Sequence, residues 1–123
     1  MGAVTRLKNR QDFVRLSRLG VRKVLSAMIV LASRSPSSSS SLVRVGFTAS
    51  RKIGGAVKRN RAKRRMRSLI QEILKDLNLS GIDFVFIARE KILTLSFNAL
   101  KQELEQAIKS VYGRFNENEN KRG

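Results

Sequence analysis

The residues of this chain best suited to chemistry are basic, and they crowd into one short segment. Nine of the seventeen residues at positions 51–67 are Lys or Arg, and none of them is acidic. Cations at this density need a polyanionic partner, and the phosphate backbone of a nucleic acid is the usual one. An anionic membrane surface is the alternative that charge alone leaves open.

The side chains that usually carry out hydrolysis are missing. The chain has no Cys and no His, which excludes thiol nucleophiles, imidazole general bases and ordinary zinc sites. The nine acidic residues are scattered, and no pair of them has the spacing of a metal site. We therefore expect no catalytic side chain, and no metal site formed by the protein alone.

Length and charge distribution narrow the class of protein further. The 123 residues suffice for one domain, predicted at 1–115, with a polar tail at 116–123. Residues 1–71 hold eighteen basic residues and one acid, whereas residues 72–123 hold eight of each, so the net charge of +17 belongs to the first part. No apolar run reaches the roughly twenty residues of a membrane span. We expect a cytoplasmic protein with no membrane partner and no small-molecule substrate.

Apolar periodicity and turn residues predict an α+β fold with the order αβββαβα around one sheet. Helices are predicted at 9–19, at 57–78 and from Ser96 to Gly113, and strands at 27–33, 42–49 and 82–88, with 21–25 either pairing or leading in. The segment 82–88 is nearly all apolar, which is typical of a central strand. The Ser-rich segment 35–41 predicts a flexible connection.

The long predicted helix presents cations on two surfaces. An apolar stripe from Met66 to Leu77 predicts the face that packs on a core. At 3.6 residues per turn, Arg59, Asn60, Lys63 and Arg67 share one arc, and Arg61, Arg64 and Ser68 share another. Cations in the first turns oppose the helix dipole, so a purely structural helix would place acids there. The pattern therefore favours a binding surface for anions.

A longer motif adds to this interpretation. Residues 45–67 read Val-Gly-Phe-Thr-Ala-Ser-Arg-Lys-Ile-Gly-Gly-Ala-Val-Lys-Arg-Asn-Arg-Ala-Lys-Arg-Arg-Met-Arg. This segment closely resembles the signature of the bacterial ribonuclease P protein subunit, a strand followed by Ser-x-Lys-x-Gly-x-Ala-Val and Arg-Asn-Arg-x-Lys-Arg-x-x-Arg. The opening residues Arg6-Leu7-Lys8 and Asp12-Phe13, the strand at 83–89 and the closing helix also match, so the resemblance covers about residues 5–112.

The resemblance implies both a fold and a function. The fold is an α/β sandwich with one mixed sheet and a left-handed βαβ crossover, against the usual right-handed preference. The function is that of a ribonuclease P subunit, which binds a catalytic RNA with its Mg²⁺ and the single-stranded 5′ leader of precursor tRNA. The Mg²⁺ is expected mainly on the RNA and at the interface of RNA, protein and substrate. Such a protein supports endonucleolytic removal of the leader without catalytic side chains of its own.

Site residues follow from the resemblance position by position. RNA contacts are implied for Arg51, Lys52, Lys58, Arg59, Asn60, Arg61, Lys63, Arg64 and Arg67. A leader-binding cleft is implied for Phe13, Ser17, Ile29, Leu31, Arg44, Thr48, Lys52, Asn60 and Arg67. Strand alternation supports this cleft, because Ile29 and Leu31 share one face while Met28 and Val30 take the other. In the strand at 42–49, Thr48 likewise lies on the face opposite the apolar Val45 and Phe47.

Two positions depart from the family pattern. Ser17 and Leu31 stand where aromatic residues are common, and the stacking of one base on an aromatic side chain is worth about 1–3 kcal/mol. We therefore expect leader binding to depend more steeply on salt than in an aromatic-rich relative.

Three other functions stay open beside that of a ribonuclease P subunit. They are a structural, ribosomal-type RNA binder, a duplex-DNA binder that uses the helix at 57–78, and a protein-only nuclease.

Overall fold

Five strands form one mixed sheet in the order β1-β4-β5-β3-β2 in a computed structural model that describes residues 4–7, 9–36 and 42–122. The strands are β1 (Val4–Arg6), β2 (Val21–Val24), β3 (Met28–Arg34), β4 (Val43–Thr48) and β5 (Ile82–Ala88). The helices are α1 (Arg10–Leu19), α2 (Ala56–Leu74) and α3 (Phe97–Arg122), with a short 3-10 helix at Glu90–Leu93. The predicted α+β class is confirmed.

The predicted order lacked β1, which precedes α1 and pairs in parallel with β4. Its three residues are too short and too polar to produce a strand pattern, and the pairing continues through the Leu7 N–H, which donates to the Val45 carbonyl at 2.8 Å. The candidate strand at 21–25 does pair, antiparallel to β3. With β1 added, the remaining order is the one that the periodicity predicts.

The apolar segment 82–88 is the central strand, as predicted. β5 lies parallel to β4 on one side and antiparallel to β3 on the other. The connection from β4 through α2 to β5 is thus a crossover between neighbouring parallel strands. Its expected left hand stays a prediction.

The two faces of the sheet are packed very differently. The large core lies between one face, which carries Val30, Val45 and Phe86, and the apolar sides of α2 and α3. The other face carries a small cluster in which Leu16 of α1 meets Leu31 and Val85. We call these the core face and the cleft face. The alternation predicted for β3 and β4 is confirmed by this division.

Two helix ends differ from the prediction. α2 ends at Leu74, four residues early, because the Asp76 and Leu77 N–H groups donate only three residues back and tighten the chain into a turn. The predicted end of α3 at Gly113 is wrong, since the helix continues to Arg122 through the predicted tail. A glycine inside a helix costs only about 1 kcal/mol, so it does not stop a well-packed one. Residues 37–41 of the predicted Ser-rich connection lie outside the described residues.

Candidate nucleic-acid interface

A glycine turn sets the start of α2 beside the end of β4. Gly54 has a φ of 139°, a conformation that favours glycine, and a Cβ there would lie 2.6 Å from the Lys58 side chain. Ile53 is buried in the core and anchors the turn. The Ile53 N–H donates to the Ser50 carbonyl at 3.0 Å. The flanking Arg51 and Lys52 are therefore left exposed, side by side at the head of the helix.

The first half of α2 is anchored by two residues and otherwise presents cations. Ala62 and Met66 are fully buried and hold the helix on the core face. The N-cap Gly55 provides no side-chain hydrogen bond, and the first turn contains no acid. The exposed residues of this half include Lys58, Asn60, Arg61 and Arg64. Backbone amides and cations together make this end attractive to phosphates.

One edge of α2 carries a stripe of half-buried cations, Arg59, Lys63 and Arg67. The Nε atoms of Arg59 and Arg67 are shielded from solvent, and neither has a hydrogen-bond acceptor among the described residues. A shielded donor without an acceptor is uncommon in folded proteins. These two guanidinium groups can therefore donate hydrogen bonds to an anionic partner.

The second predicted arc also exists as a surface. Arg61, Arg64 and Ser68 line one shallow groove of about 690 Å³ against the start of α3. Arg65 lies at the same groove but serves the fold, because its guanidinium donates to the Ile92 carbonyl at 2.8 Å and to the Leu95 carbonyl. Of the basic run, Arg65 is thus a tether between α2 and the segment that leads into α3.

The implied leader cleft is partly filled by the protein itself. Phe13 of α1 packs over β4 so closely that a Cβ on Gly46 would lie 2.6 Å from its ring. Leu31 is only 4% exposed and belongs to the cluster beneath α1, so its side chain is a floor rather than a free stacking surface. Ile29 is half-buried beside them, and Ser17 is exposed on α1.

An open groove of about 560 Å³ continues this cleft at the ends of β4 and β5. Ile29 and Lys52 line it, and Thr48 stands next to it, opposite Ile87 in the strand register. Arg89 and Lys91 also line this groove, although neither is among the residues that the resemblance implies for the cleft. Their position directly after the central strand was the signal that could have identified them.

Arg44, which the resemblance assigns to the leader cleft, is engaged in an ion-pair cluster. Its Nε and Nη2 atoms donate to the two carboxylate oxygens of Asp83 at 2.8 and 2.6 Å, and Asp83 is completely buried. Arg15 of α1 donates to the same carboxylate at 2.5 Å, and Asp12 pairs with both arginines. The hydrogen bond to Asp83 raises the pKa of Arg44, because it favours the charged form of the guanidinium group. The cluster fastens α1 to the sheet.

The structure does not bring all the implied cleft residues together. Arg67 lines a different groove with Val45 and Phe47, whose side chains belong to the core face, so the sheet separates it from Phe13. Asn60 is exposed on the second turn of α2. Helical angle alone cannot tell which sheet face a residue overlooks. Contacts of these residues with RNA stay predictions.

The carboxylates of the site do not fit a metal ion. Asp12 and Asp83 are saturated by arginines, and no group of three or more acidic side chains within residues 4–7, 9–36 and 42–122 could hold one. Over the same residues, no helix has the length and apolar character needed to cross a membrane.

Comparison with known proteins agrees with the motif and the fold. The family model of ribonuclease P matches residues 1–112. The ribonuclease P protein component of Paramagnetospirillum magneticum is 37% identical over 110 residues, covering 86% of this chain and 81% of the relative. That of Ruegeria pomeroyi is 36% identical over 107 residues, covering 86% and 85%.

Solved structures give the same result. The RNase P protein of Staphylococcus aureus matches with a TM-score of 0.70 and 27% identity, over 87% of this chain and 96% of that one. The RNase P protein from Thermotoga maritima matches with a TM-score of 0.73 and 25% identity, over 86% and 96%. Motif, fold and sequence relatives agree, and the chain belongs to the bacterial ribonuclease P protein family.

Proposed function

We propose that this protein binds the catalytic RNA of ribonuclease P and the 5′ leader of precursor tRNA, and that the RNA performs the cleavage. Its family is that of the protein component of a tRNA-processing ribonucleoprotein. The observation that carries the proposal is the first half of α2, where exposed cations and a helix start without an acid or a side-chain cap share one surface. Such a surface suits RNA phosphates.

The two ligands use different parts of the molecule in this proposal. The catalytic RNA lies along α2, on Arg61 and Arg64. The leader lies on the cleft face, where Phe13 and Thr48 lead to the open groove lined by Lys52. An unpaired strand is bound by such a combination of cations and aromatic or apolar surface, largely without regard to its sequence.

The chemical step is hydrolysis of the phosphodiester bond before the mature 5′ end of the tRNA. We assign Mg²⁺ to the catalytic RNA and to its junction with protein and precursor, because the protein carboxylates near the cleft are held by Arg15 and Arg44. The protein contributes positive potential and a fixed orientation of the leader. The reaction takes place in the cytoplasm, where precursor tRNA is made.

Reconstitution tests the proposal directly. The purified chain is mixed with a bacterial catalytic RNA and labelled precursor tRNA at low, near-physiological Mg²⁺. We expect cleavage at the mature 5′ end that requires both components. Tight RNA binding without any stimulation over the RNA alone would favour the structural RNA binder instead.

A matched pair of arginine variants locates the RNA surface. Arg61→Ala should weaken assembly with the catalytic RNA and lower the slope of log affinity against log salt by about one, while the thermal unfolding curve stays unchanged. Arg114 is exposed on α3 in the charge-balanced part of the chain, so Arg114→Ala should leave assembly unchanged. Equal effects of both variants would mean that net charge, and not the α2 surface, drives assembly.

A further inference from the structure

The groove that Arg67 lines with Val45 and Phe47 lies where the β1 edge of the sheet faces α2. It has a volume of about 430 Å³, within the roughly 300–1,000 Å³ typical of small-ligand pockets. Phe47, Ile70 and Leu74 give it an apolar lining. We call it the edge groove. It lies at the core side of the sheet and is separate from the cleft face.

The open rim of the edge groove is basic. Arg6, Arg67 and Lys75 line it, and none of its lining residues is acidic. Lys75 also pairs with Glu72 at 3.6 Å, but Glu72 is not part of the lining. Arg67 is better placed than Lys75 to bind an anion, because its shielded Nε has no acceptor among the described residues. The charge distribution therefore fits an occupant with an apolar body and a negative group.

Phe47 adds an aromatic surface. Its ring stacks on that of Phe86 with centroids 5.7 Å apart, and Phe86 stacks on Phe84 at 5.6 Å. Phe84 and Phe86 are completely buried, whereas Phe47 is partly exposed and lines the groove. The row of rings thus ends at an accessible aromatic side chain, on which one more flat ring could pack.

We propose that the edge groove binds one unpaired nucleotide of the catalytic RNA, with its base on Phe47 and its phosphate between Arg6 and Arg67. This inference rests on the proposed function and deepens it. The leader is the less suitable source, because Phe47 projects from the opposite face of β4 to Gly46 and Thr48. An RNA leader bound on the cleft face is therefore separated from the edge groove by the sheet itself.

The cysteine-free sequence makes a direct test possible, since one introduced thiol can carry an iron chelate that cleaves nearby RNA. Gln71 is exposed and lines the edge groove, so Gln71→Cys places the chelate there. We expect cuts at one unpaired segment of the catalytic RNA, with or without precursor tRNA. The matched variant Ser17→Cys, exposed on α1, should cut the leader of bound precursor.

Each other pattern of cuts overturns the inference in a different way. Cuts in the leader from Gln71→Cys would make the edge groove a leader site. Cuts from Ser17→Cys alone would mean that no RNA occupies the edge groove, while the proposed function stands. A reconstituted mixture without cleavage activity would instead contradict the proposed function. Concentration-dependent dimers in sedimentation, dispersed by Phe47→Leu, would identify a second copy of the chain as the occupant.

Affinity measurements test the two halves of the groove separately. Phe47→Leu keeps an apolar core residue but removes the stacking ring, and Arg67→Gln keeps the length but removes the charge. Each should weaken binding to the catalytic RNA by roughly tenfold, with the ratio of precursor to mature tRNA affinity unchanged. Arg114→Gln is the control for charge. A changed precursor preference, or unchanged RNA affinity in both variants, would contradict the assignment.

Discussion

The core face and the cleft face of this sheet are built from the same strands but differ in what they bury. The core face is covered by α2 and α3 and holds most of the buried apolar side chains. Within the part of the chain that the structure describes, α1 is the helix that covers the cleft face, through a cluster centred on Leu16, Leu31 and Val85 and an ion-pair cluster around Asp83. The core face can thus supply most of the folding stability, while the cleft face stays open enough to bind single-stranded RNA.

The largest expected difference comes from the same truncation on each face. Leu69 of α2 is completely buried in the core that covers the core face, and Leu69→Ala should lower the free energy of unfolding by about 4 kcal/mol, because a closed core keeps the cavity. Leu31→Ala should cost about 2 kcal/mol, since α1 can settle toward the thinner cluster. Urea unfolding measures both values. A larger loss for Leu31→Ala would reverse the comparison.

The ion-pair cluster is the next test. Asp83→Asn leaves Arg15 and Arg44 without their buried counter-charge, and we expect a loss of about 3 kcal/mol in unfolding free energy. Because this loss loosens α1, leader discrimination should fall in refolded protein at low temperature. An unfolding free energy within about 1 kcal/mol of that of the unsubstituted protein would contradict this expectation. It would mean that solvent replaces the lost interaction of Arg15 and Arg44 with the Asp83 carboxylate.

Contact between α1 and the sheet is tested by one added methyl group. Gly46→Ala places a Cβ 2.6 Å from the Phe13 ring, so the ring must shift, at a cost of about 1–2 kcal/mol. Gly113→Ala is the control, because nothing lies within 4 Å of its added Cβ and the helix should gain up to about 1 kcal/mol. Thermal unfolding compares the two. Destabilisation by Gly113→Ala would contradict the helical geometry of α3.

The smallest effect on stability should accompany a loss of function. Phe13→Leu keeps an apolar side chain in the cleft-face cluster, so the unfolding free energy should change by less than about 1.5 kcal/mol. The loss of the aromatic ring should nevertheless lower affinity for precursor tRNA more than for mature tRNA. Equal loss for both RNAs would remove Phe13 from the leader site.

Local patterns in the sequence predicted the elements better than the site. The apolar stripe of α2 and the alternation in β4 depend on nearby residues, so both were readable. The short β1 exists because β4 pairs with it, and the burial of Leu31 exists because α1 covers it. Arg44 looked free for the same reason, since its partner Asp83 lies 39 residues away. Long-range pairing of this kind leaves no periodic signal.

The ends of the sheet carry a consequence of their own. Its two outer strands, β1 and β2, have three and four residues, and Arg6, Arg22 and Lys23 stand on them. Short, charged edge strands resist pairing with the edges of other molecules. The same positive charge that attracts RNA therefore helps to keep newly made copies of this protein from aggregating before any RNA is bound.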